Sequence, residues 1–354
     1  MSIQKTFLFF LFLGKAFAAT SNWIVVTTIQ YPTEQLQNLA KIPNWHLLVI
    51  GDKKTPLDWE LENCTYIGPE KQLSLGYEIT ELLPWNHYSR KNIGYLYAIE
   101  HGATLIYDTD DDNEPIGALE TLISKSSVCL PILESFDDCI NPYPYFGCPN
   151  IWARGFPPEK FLQNSYTVSP QAHECFIGVE QGLVNHDPDL DAICRLSHSE
   201  PIFFTNTPPC QIKKGNFAPF NSQNTFFHRD SFFALYLPST CTMRVSDIWR
   251  GYICQRLLQN TALSIVFSKP SAIQKRNEHN WLNDFILEND LYTKGSVFVQ
   301  FLKNWENSNP DFFCSMYNLY ESIAEGAFLK NTELPIVSAW LHDLQKIKYT
   351  NNSL

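Results

Sequence analysis

Four carboxylates lie within five residues of the chain, at Asp108, Asp110, Asp111 and Asp112. They follow a short apolar run over residues 104–107, which predicts a strand buried on both faces. Like charges this close repel one another and lose hydration at a strand end, so a divalent cation would stabilise them. Asp108 and Asp110 are therefore candidate ligands of a metal ion. The competing interpretation is an acidic turn exposed to water.

The spacing around these carboxylates separates the possible metal chemistries. A calcium-binding loop starting at Asp108 would need Gly at its sixth position and Glu at its twelfth, where the chain has Asn113 and Leu119. A phosphatase of the aspartyl-phosphate type usually carries Thr or Val where Asp112 stands. A nucleotide-diphosphate site fits best, with the carboxylates holding Mg²⁺ or Mn²⁺ and the cation bridging two phosphates.

The segment before the acidic run predicts a helix that ends at Gly102, because apolar residues recur at helical spacing from Ile93 onward. Arg90 and Lys91 stand at its start. The helix dipole disfavours cations there, so we expect both side chains to reach a diphosphate. Solvated basic side chains are the competing interpretation.

Strands and helices alternate over the first part of the chain. Apolar runs over residues 23–29, 45–50 and 64–67 predict strands, and Thr33 can cap a helix that extends to about Ile42. This alternation predicts a parallel sheet covered by helices, with ligands at the carboxyl ends of its strands. The polar residues expected at those ends are Thr27, Thr28, Asp52 and Asp108.

The order of residues around the acidic run resembles that of glycosyltransferases with the GT-A fold. In those enzymes a helix with Arg or Lys, Asn, any residue and Gly leads through Ala and a Gly turn into a strand that ends in Asp-x-Asp. The matching positions here are Lys91, Asn92, Gly94, Ala98, Gly102, Asp108 and Asp110.

A wider resemblance, to the STELLO family of glycosyltransferases, covers roughly residues 22–349. It is carried by many separate blocks, far more than one short motif could supply by chance. Among them are Trp45 to Asp52, Arg90 to Ile99, Trp152 to Pro157, Asp187 to Asp191, Phe220 to Thr225 and Asp247 to Tyr252.

The resemblance implies an α/β fold: a GT-A-like (Rossmann-like) mixed sheet flanked by helices, with a C-terminal helical subdomain. It also implies a metal-dependent glycosyltransferase that moves a sugar from a nucleotide diphosphate donor to a glycan, lipid or protein acceptor. The alternative is a non-catalytic binding or scaffold protein that retains the fold.

Roles for single residues follow from the same resemblance. Asp247 is expected to act on the acceptor hydroxyl, with Asp187 and Asp189 as further candidates near the acceptor. His228 is the candidate for a later metal ligand beside Asp108 and Asp110. The residues expected to bind the donor are Thr27, Asp52, Arg90, Lys91, Asn92 and Asp108.

The bulk properties limit the partners of the protein. With 354 residues and 44% hydrophobic content, the chain can bury a large core, and its net charge of −11 argues against nucleic acid as a partner. Three regions are predicted: a targeting segment over 1–19, a GT-A-like domain over 20–270 and a helical cap over 271–354. Within the cap, apolar periodicity predicts helices over 281–292, 297–305, 312–329 and 335–349. No oligomeric state is predicted.

The first 19 residues predict a cleaved signal peptide or a short uncleaved anchor, because a basic residue precedes a short apolar run and then small residues. We therefore expect an exported or luminal protein, in a Golgi-like lumen or a periplasm, with membrane contact only through an uncleaved N-terminus. The ten cysteines include no Cys-x-x-Cys pair, which argues against structural zinc. Cys129, Cys139 and Cys148 are the first candidates for disulfides.

Overall fold

A computed structural model describes residues 21–124, 127–162, 165–275, 280–306, 309 and 311–350. The predicted targeting segment lies outside these residues. The strands are β1 Asn22–Thr27, β2 His46–Ile50, β3 Cys64–Ile67, β4 Leu105–Thr109, β5 Asn113–Pro115, β6 Val128–Leu130, β7 Ile132–Glu134, β8 Thr167–Val168, β9 His173–His186, β10 Cys210–Ile212, β11 Asn224–His228 and β12 Leu263–Gln274. The α-helices are α1 Glu34–Leu39, α2 Pro69–Ser74, α3 Ile79–Leu82, α4 Lys91–Glu100, α5 Ala192–Ser197, α6 Met243–Leu258, α7 Trp281–Leu287, α8 Asn289–Asn304, α9 Phe312–Glu325 and α10 Leu334–Lys346.

The strands form one mixed sheet of twelve, with the main order β3-β2-β1-β4-β11-β9-β12-β10-β7-β8. The first four strands of this order are parallel, as the alternation of strands and helices predicts. β11 then runs antiparallel to both β4 and β9, which makes the sheet mixed. The carboxyl ends of β1, β2 and β4 therefore lie at one edge of the sheet, where we expected a ligand.

Two hydrophobic layers cover the two faces of the sheet. One face carries Val25, Ile50 and Ile106 and is covered by α4 and α6, and the C-terminal helices extend the same hydrophobic cluster. The other face carries Ile24 and Tyr107 and packs against the apolar side of α1. This alternation along β1 is the period of two that a strand buried on both faces requires.

Helix α4 lies unusually close to the sheet because of Gly94. A Cβ atom at this position would come within 2.7 Å of Val25 Cγ1 and 2.8 Å of Ile50 Cγ1. The glycine thus lets the helix backbone approach β1 and β2, which sets the depth of the acidic run that follows in β4. Gly102 ends this part of the chain at φ +83°, as predicted from the sequence.

The C-terminal helices differ in their limits from those expected. The sequence predicted helices over 281–292 and 297–305, whereas α7 ends at Leu287 and α8 runs unbroken over Asn289–Asn304. The break falls at Glu288, a fully buried residue whose carboxylate accepts hydrogen bonds from Ala192 N and from the guanidinium of Arg244. The tertiary contacts of Glu288 therefore fix the break, which local periodicity cannot show.

Among the described residues, no helix combines the length and the apolar character needed to cross a bilayer. All ten cysteines lie within these residues and are free thiols. The structure therefore does not contain the disulfides considered among Cys129, Cys139 and Cys148. Cys139 is buried instead, with its Sγ 3.5 Å from the Tyr252 hydroxyl.

Candidate functional site

A cleft of about 370 Å³ opens at the carboxyl ends of β1, β2 and β4. The acidic loop, which we define as residues 110–112 between β4 and β5, forms one wall. The remaining polar lining comes from Thr27, Thr28, Gln30, Asp52, Lys54, Asn86, His87, Tyr88, Arg90, Arg244 and Gln274. The predicted location of a ligand site thus coincides with a cleft that combines carboxylates and cations.

Asp108 is fully buried below this cleft and holds two internal cations. Its Oδ1 lies 2.6 Å from Lys91 Nζ, and its Oδ2 accepts a hydrogen bond of 2.7 Å from Arg250 Nη1. Burial alone would raise the pKa of Asp108, but the charges and hydrogen bonds of Lys91 and Arg250 outweigh it and lower the pKa. Asp108 is therefore an ionised anchor within the fold, with both carboxylate oxygens occupied.

Asp110 lines the cleft, and its side chain is about one-third exposed. The Tyr88 hydroxyl donates to its Oδ1 at 2.7 Å, while Lys91 Nζ lies 3.8 Å from the same atom. Loss of hydration raises the pKa of Asp110 to about 7; Lys91 opposes this shift and Asp112 adds to it. The ionised form of this carboxylate is therefore disfavoured, and a bound cation would stabilise it.

The other two carboxylates of the acidic loop are each held by a neutral donor. Thr28 Oγ1 donates to Asp111 Oδ2 at 2.5 Å, and Gln274 Nε2 donates to Asp112 Oδ1 at 2.8 Å. Thr33 caps α1 and also donates from its hydroxyl to the Asp111 carbonyl, at 2.6 Å. The loop is thus fixed by hydrogen bonds, and Asp110 is the carboxylate of the three nearest to a cation.

The carboxylate oxygens on this wall suit a hard cation that retains part of its hydration shell. The described residues contain no group of three His, Cys, Asp or Glu side chains arranged to hold a metal ion. Mg²⁺ commonly binds proteins through one or two carboxylates and takes its other ligands from water and phosphate. Asp110 and Asp112 on the cleft wall match that requirement.

Asp52 also lines the cleft, at the turn after β2. Its Oδ1 accepts from Lys53 N at 2.7 Å and its Oδ2 from His87 N at 3.2 Å. The Thr55 hydroxyl bridges the Asp52 backbone N–H and the Thr28 carbonyl, which joins the ends of β1 and β2. The carboxylate is nine-tenths buried yet borders the cleft, as expected for a group that contacts a ligand from below.

We expected the basic residues at the start of α4 to reach a ligand in the cleft, but the structure does not place Lys91 there. Lys91 is fully buried, and besides contacting Asp108 its Nζ donates to the Thr109 carbonyl at 2.6 Å and to the Tyr88 hydroxyl at 3.0 Å. Asn92 is buried too, and its amide exchanges hydrogen bonds with the backbone of Leu237. Both side chains stabilise the fold rather than contact the solvent of the cleft.

Arg90 borders the cleft, but its guanidinium is engaged on the other side. It stacks on the Trp85 ring at 3.5 Å and donates to Gln72 Oε1 at 2.7 Å and to the Leu83 carbonyl at 3.1 Å. Burial lowers the pKa of Arg90 to about 10. The cations that line the cleft from other segments are Lys54 and Arg244, which sequence reasoning missed because neither lies at a predicted strand end or beside the acidic run.

The carboxylates predicted to face the acceptor form a buried network around Arg154. Asp189 Oδ1 lies 2.8 Å from Arg154 Nε, and Asp247 Oδ2 lies 2.8 Å from Arg154 Nη2. Asp247 also accepts from Ser222 N, so its oxygens already have partners. Both carboxylates are thus engaged in one buried ion-pair network, and removing either partner would be costly to the fold.

Asp187 is the most exposed of these three carboxylates, with one-fifth of its side chain accessible. It contacts Arg195 Nη1 at 2.9 Å and His186 Nδ1 at 2.7 Å. Asp191, in contrast, accepts from Cys194 N and caps α5, as its sequence position predicts. Of the three carboxylates, Asp187 is therefore the most accessible to solvent.

His228 does not lie with the acidic loop. It pairs with Leu105 at the start of β4, whereas the acidic loop follows the other end of that strand. β11 runs antiparallel to β4, so its last residue is carried away from the carboxyl end, and His228 borders a separate cavity. The expectation that His228 joins Asp108 and Asp110 at one metal ion is corrected by this register.

The fold and the cleft together define the class of the protein: a GT-A-like α/β structure with a mixed sheet and a helical C-terminal region. A family model described as STELLO glycosyltransferases matches residues 244–354. The chain is 33% identical, over 93% of its length, to two proteins of Arabidopsis thaliana, the probable glycosyltransferases STELLO1 and STELLO2. The chain belongs to the STELLO family, and it spans about half the length of these relatives, 45% in each case.

Proposed function

We propose that this chain is a metal-dependent glycosyltransferase that uses a nucleotide diphosphate sugar as donor. The observation that carries the proposal is the position of Asp110 and Asp112 on one wall of a cleft at the carboxyl ends of parallel strands. Both family relatives are named probable glycosyltransferases, which supports the same reaction class.

In this proposal the cleft is divided between the two parts of the donor. Asp52 and Thr27 hold the base or ribose at the ends of β1 and β2. Asp110, with Asp112, holds Mn²⁺ or Mg²⁺, which supplies positive charge for the departing diphosphate. Lys54 and Arg244 add two cations on the same lining.

The residues below the cleft hold the Asp110 carboxylate in position to bind the cation. Tyr88 donates to the carboxylate and accepts from Lys91, while Lys91 is itself held by Asp108. Hydrogen bonds from such supporting groups fix the orientation of a metal ligand. Asp108 therefore acts through Lys91 and Tyr88 rather than as a ligand of the cation.

On the acceptor side, Asp187 takes the role of contacting the acceptor hydroxyl. Asp189 and Asp247 hold Arg154 and shape the surroundings of that hydroxyl, because their oxygens are engaged with the guanidinium. A glycan, lipid or protein hydroxyl remains the proposed acceptor class, and an exported or luminal location remains the proposed setting.

The test is a screen for release of UDP or GDP from nucleotide sugars by the purified protein, with Mn²⁺ and with a chelator. We expect slow, metal-dependent release from one class of donor, because a water molecule can take the place of the acceptor hydroxyl. The Asp110→Ala variant is expected to lose at least 100-fold of this rate, roughly the loss when a charge-stabilising group is removed. Release that persists unchanged in this variant would exclude Asp110 as the site of the cation.

Two observations favour a second function, that of a non-catalytic binding or scaffold protein. The described residues contain no ready three-residue metal group, and both oxygens of Asp108 are neutralised internally. A scaffold predicts nucleotide binding without turnover, or no binding at all. Turnover of any donor in the screen would contradict it.

A further inference from the structure

A chain of side-chain amides joins the acidic loop to the segment proposed to meet the acceptor. Gln274 Nε2 donates to Asp112 Oδ1 at 2.8 Å, and Gln274 Oε1 accepts from Gln223 Nε2. Gln223 Nε2 also donates to the Asp187 carbonyl at 3.1 Å. Gln274 and Gln223 are both nine-tenths or more buried, so these bonds are shielded from water.

The direction of this chain is fixed by its two ends. The Asp112 carboxylate and the Asp187 carbonyl are both acceptors, so each end requires an N–H donor. Gln274 must therefore turn its Nε2 toward Asp112, which leaves its Oε1 facing Gln223. Because Gln223 then has to supply N–H groups to both Gln274 and Asp187, neither amide can flip without breaking the chain.

The backbone places Gln274 where three strands meet. In register, Gln274 at the end of β12 pairs with Asn113 of β5 on one side and with His186 of β9 on the other. Asn113 directly follows the acidic loop, and His186 directly precedes Asp187. Gln223 adds a further link, since its carbonyl accepts from the Thr109 hydroxyl at 2.8 Å, next to Asp108.

We propose that Gln274 is a positioning residue that, through Gln223, couples the acidic loop to the Asp187 segment. The inference rests on the proposed function, in which the first element binds the donor and the second meets the acceptor. A ligand that draws Asp112 toward a cation moves Gln274, and the chain passes this displacement to Asp187. Donor binding thereby orders the segment around Asp187.

The test compares Gln274→Leu, Gln223→Leu and the double variant with the native protein. Gln211→Leu is the matched control, because Gln211 is also buried and donates from Nε2 to two carbonyls, of Leu130 and His173, outside the cleft. Hydrogen exchange without ligand is measured first. We expect faster exchange at both residues 110–114 and 186–189 in the Gln274 and Gln223 variants, and at neither segment in the control.

Binding of Mn²⁺ with UDP or GDP is measured next by calorimetry. Loss of groups that support a metal ligand typically weakens affinity about 10- to 100-fold, and we expect this for Gln274→Leu. The double variant should bind no more weakly than the worse single variant, because both substitutions interrupt the same series of hydrogen bonds. If Gln274→Leu does not fold, Gln223→Leu still interrupts the series of amide hydrogen bonds, and it leaves the contact of Gln274 with Asp112 in place.

The outcomes separate the two claims. Faster exchange confined to residues 110–114, or binding losses that add in the double variant, would overturn the coupling. Absence of nucleotide binding by the native protein would contradict the proposed function, and the exchange experiment would still decide whether the amide chain links the two segments.

Discussion

Asp108 and Asp110 stand two positions apart, yet their surroundings give them opposite tasks. Asp108 is fully buried between Lys91 and Arg250, whereas Asp110 faces the cleft and receives a hydrogen bond from Tyr88. We expect Asp108→Asn to destabilise the protein by about 3–5 kcal/mol, because it leaves two buried cations without their shared counter-charge. Asp110→Asn should cause no comparable loss, since its side chain is partly exposed.

Urea denaturation of both variants measures this difference. Equal losses of stability would contradict the division of the two carboxylates into an anchor and a ligand.

The pKa of about 7 at Asp110 predicts how cation binding depends on pH. A proton and a cation compete for the same carboxylate, so Mn²⁺ affinity should rise about tenfold per pH unit below pH 6 and level off above pH 8. Calorimetric titration of Mn²⁺ at several pH values measures it. A profile that is flat from pH 5.5 to pH 8 would show that Asp110 does not bind the cation.

Stability should follow the opposite trend. The folded pKa of Asp110 lies above its ordinary value of 3.8, so the folded state binds more protons between about pH 4 and pH 7. The contribution of Asp110 to stability is therefore fully present below about pH 4, falls as the pH rises toward 7 and is lost above it. We expect Asp110→Asn to raise the Tm by roughly 2 °C at pH 8 and to change it little at pH 4. A lower Tm at pH 8 would contradict this sign.

At the scale of elements, the contact of α4 with β1 and β2 sets the depth of Lys91 and hence of Asp108. Gly94→Ala places a Cβ within 2.7 Å of Val25 Cγ1, so we expect a loss of about 1–3 kcal/mol from overpacking. Gly295→Ala in α8 is the control, because its Cβ meets its nearest atom, the Gly155 carbonyl oxygen, at 3.9 Å. The control should be more stable than the native protein by about 0.5–1 kcal/mol.

Thermal unfolding of the two variants checks this expectation. If both variants are destabilised by a similar amount, the close contact of Gly94 with β1 and β2 does not cause the loss.

At the scale of the whole molecule, the C-terminal helices share a core with the sheet. Trp340 of α10 is fully buried and donates from its indole N–H to the Phe233 carbonyl at 3.3 Å. Glu333 is fully buried as well and accepts backbone N–H groups from Ser239 and Thr240, just before α6. The helical region is thus joined to the segment that leads to Arg244 in the cleft.

We therefore expect the chain to unfold in one calorimetric transition, and Trp340→Ala to lower its stability by about 3–5 kcal/mol. Differential scanning calorimetry measures both. Two separate transitions, with only one shifted by Trp340→Ala, would indicate that residues 271–354 form an independent unit.

Much of this architecture was predictable because its signals are local. Apolar runs of four to seven residues define β1, β2 and β3, and parallel strands place their carboxyl ends at one edge, so the site could be located from the sequence. The roles of individual carboxylates were not predictable. Arg250 lies 142 positions from Asp108, and Arg154 lies 93 positions from Asp247, so no local pattern reveals which charges are neutralised within the fold.

The most direct test of the account is calorimetric titration of the protein with UDP and GDP, in Mn²⁺ and in chelator, beside Asp110→Ala. The account predicts that one nucleotide binds in Mn²⁺, that the chelator abolishes binding, and that the variant binds at least tenfold more weakly, as expected when a metal ligand is lost. Binding that is equally tight in chelator, or equally tight in Asp110→Ala, would contradict it.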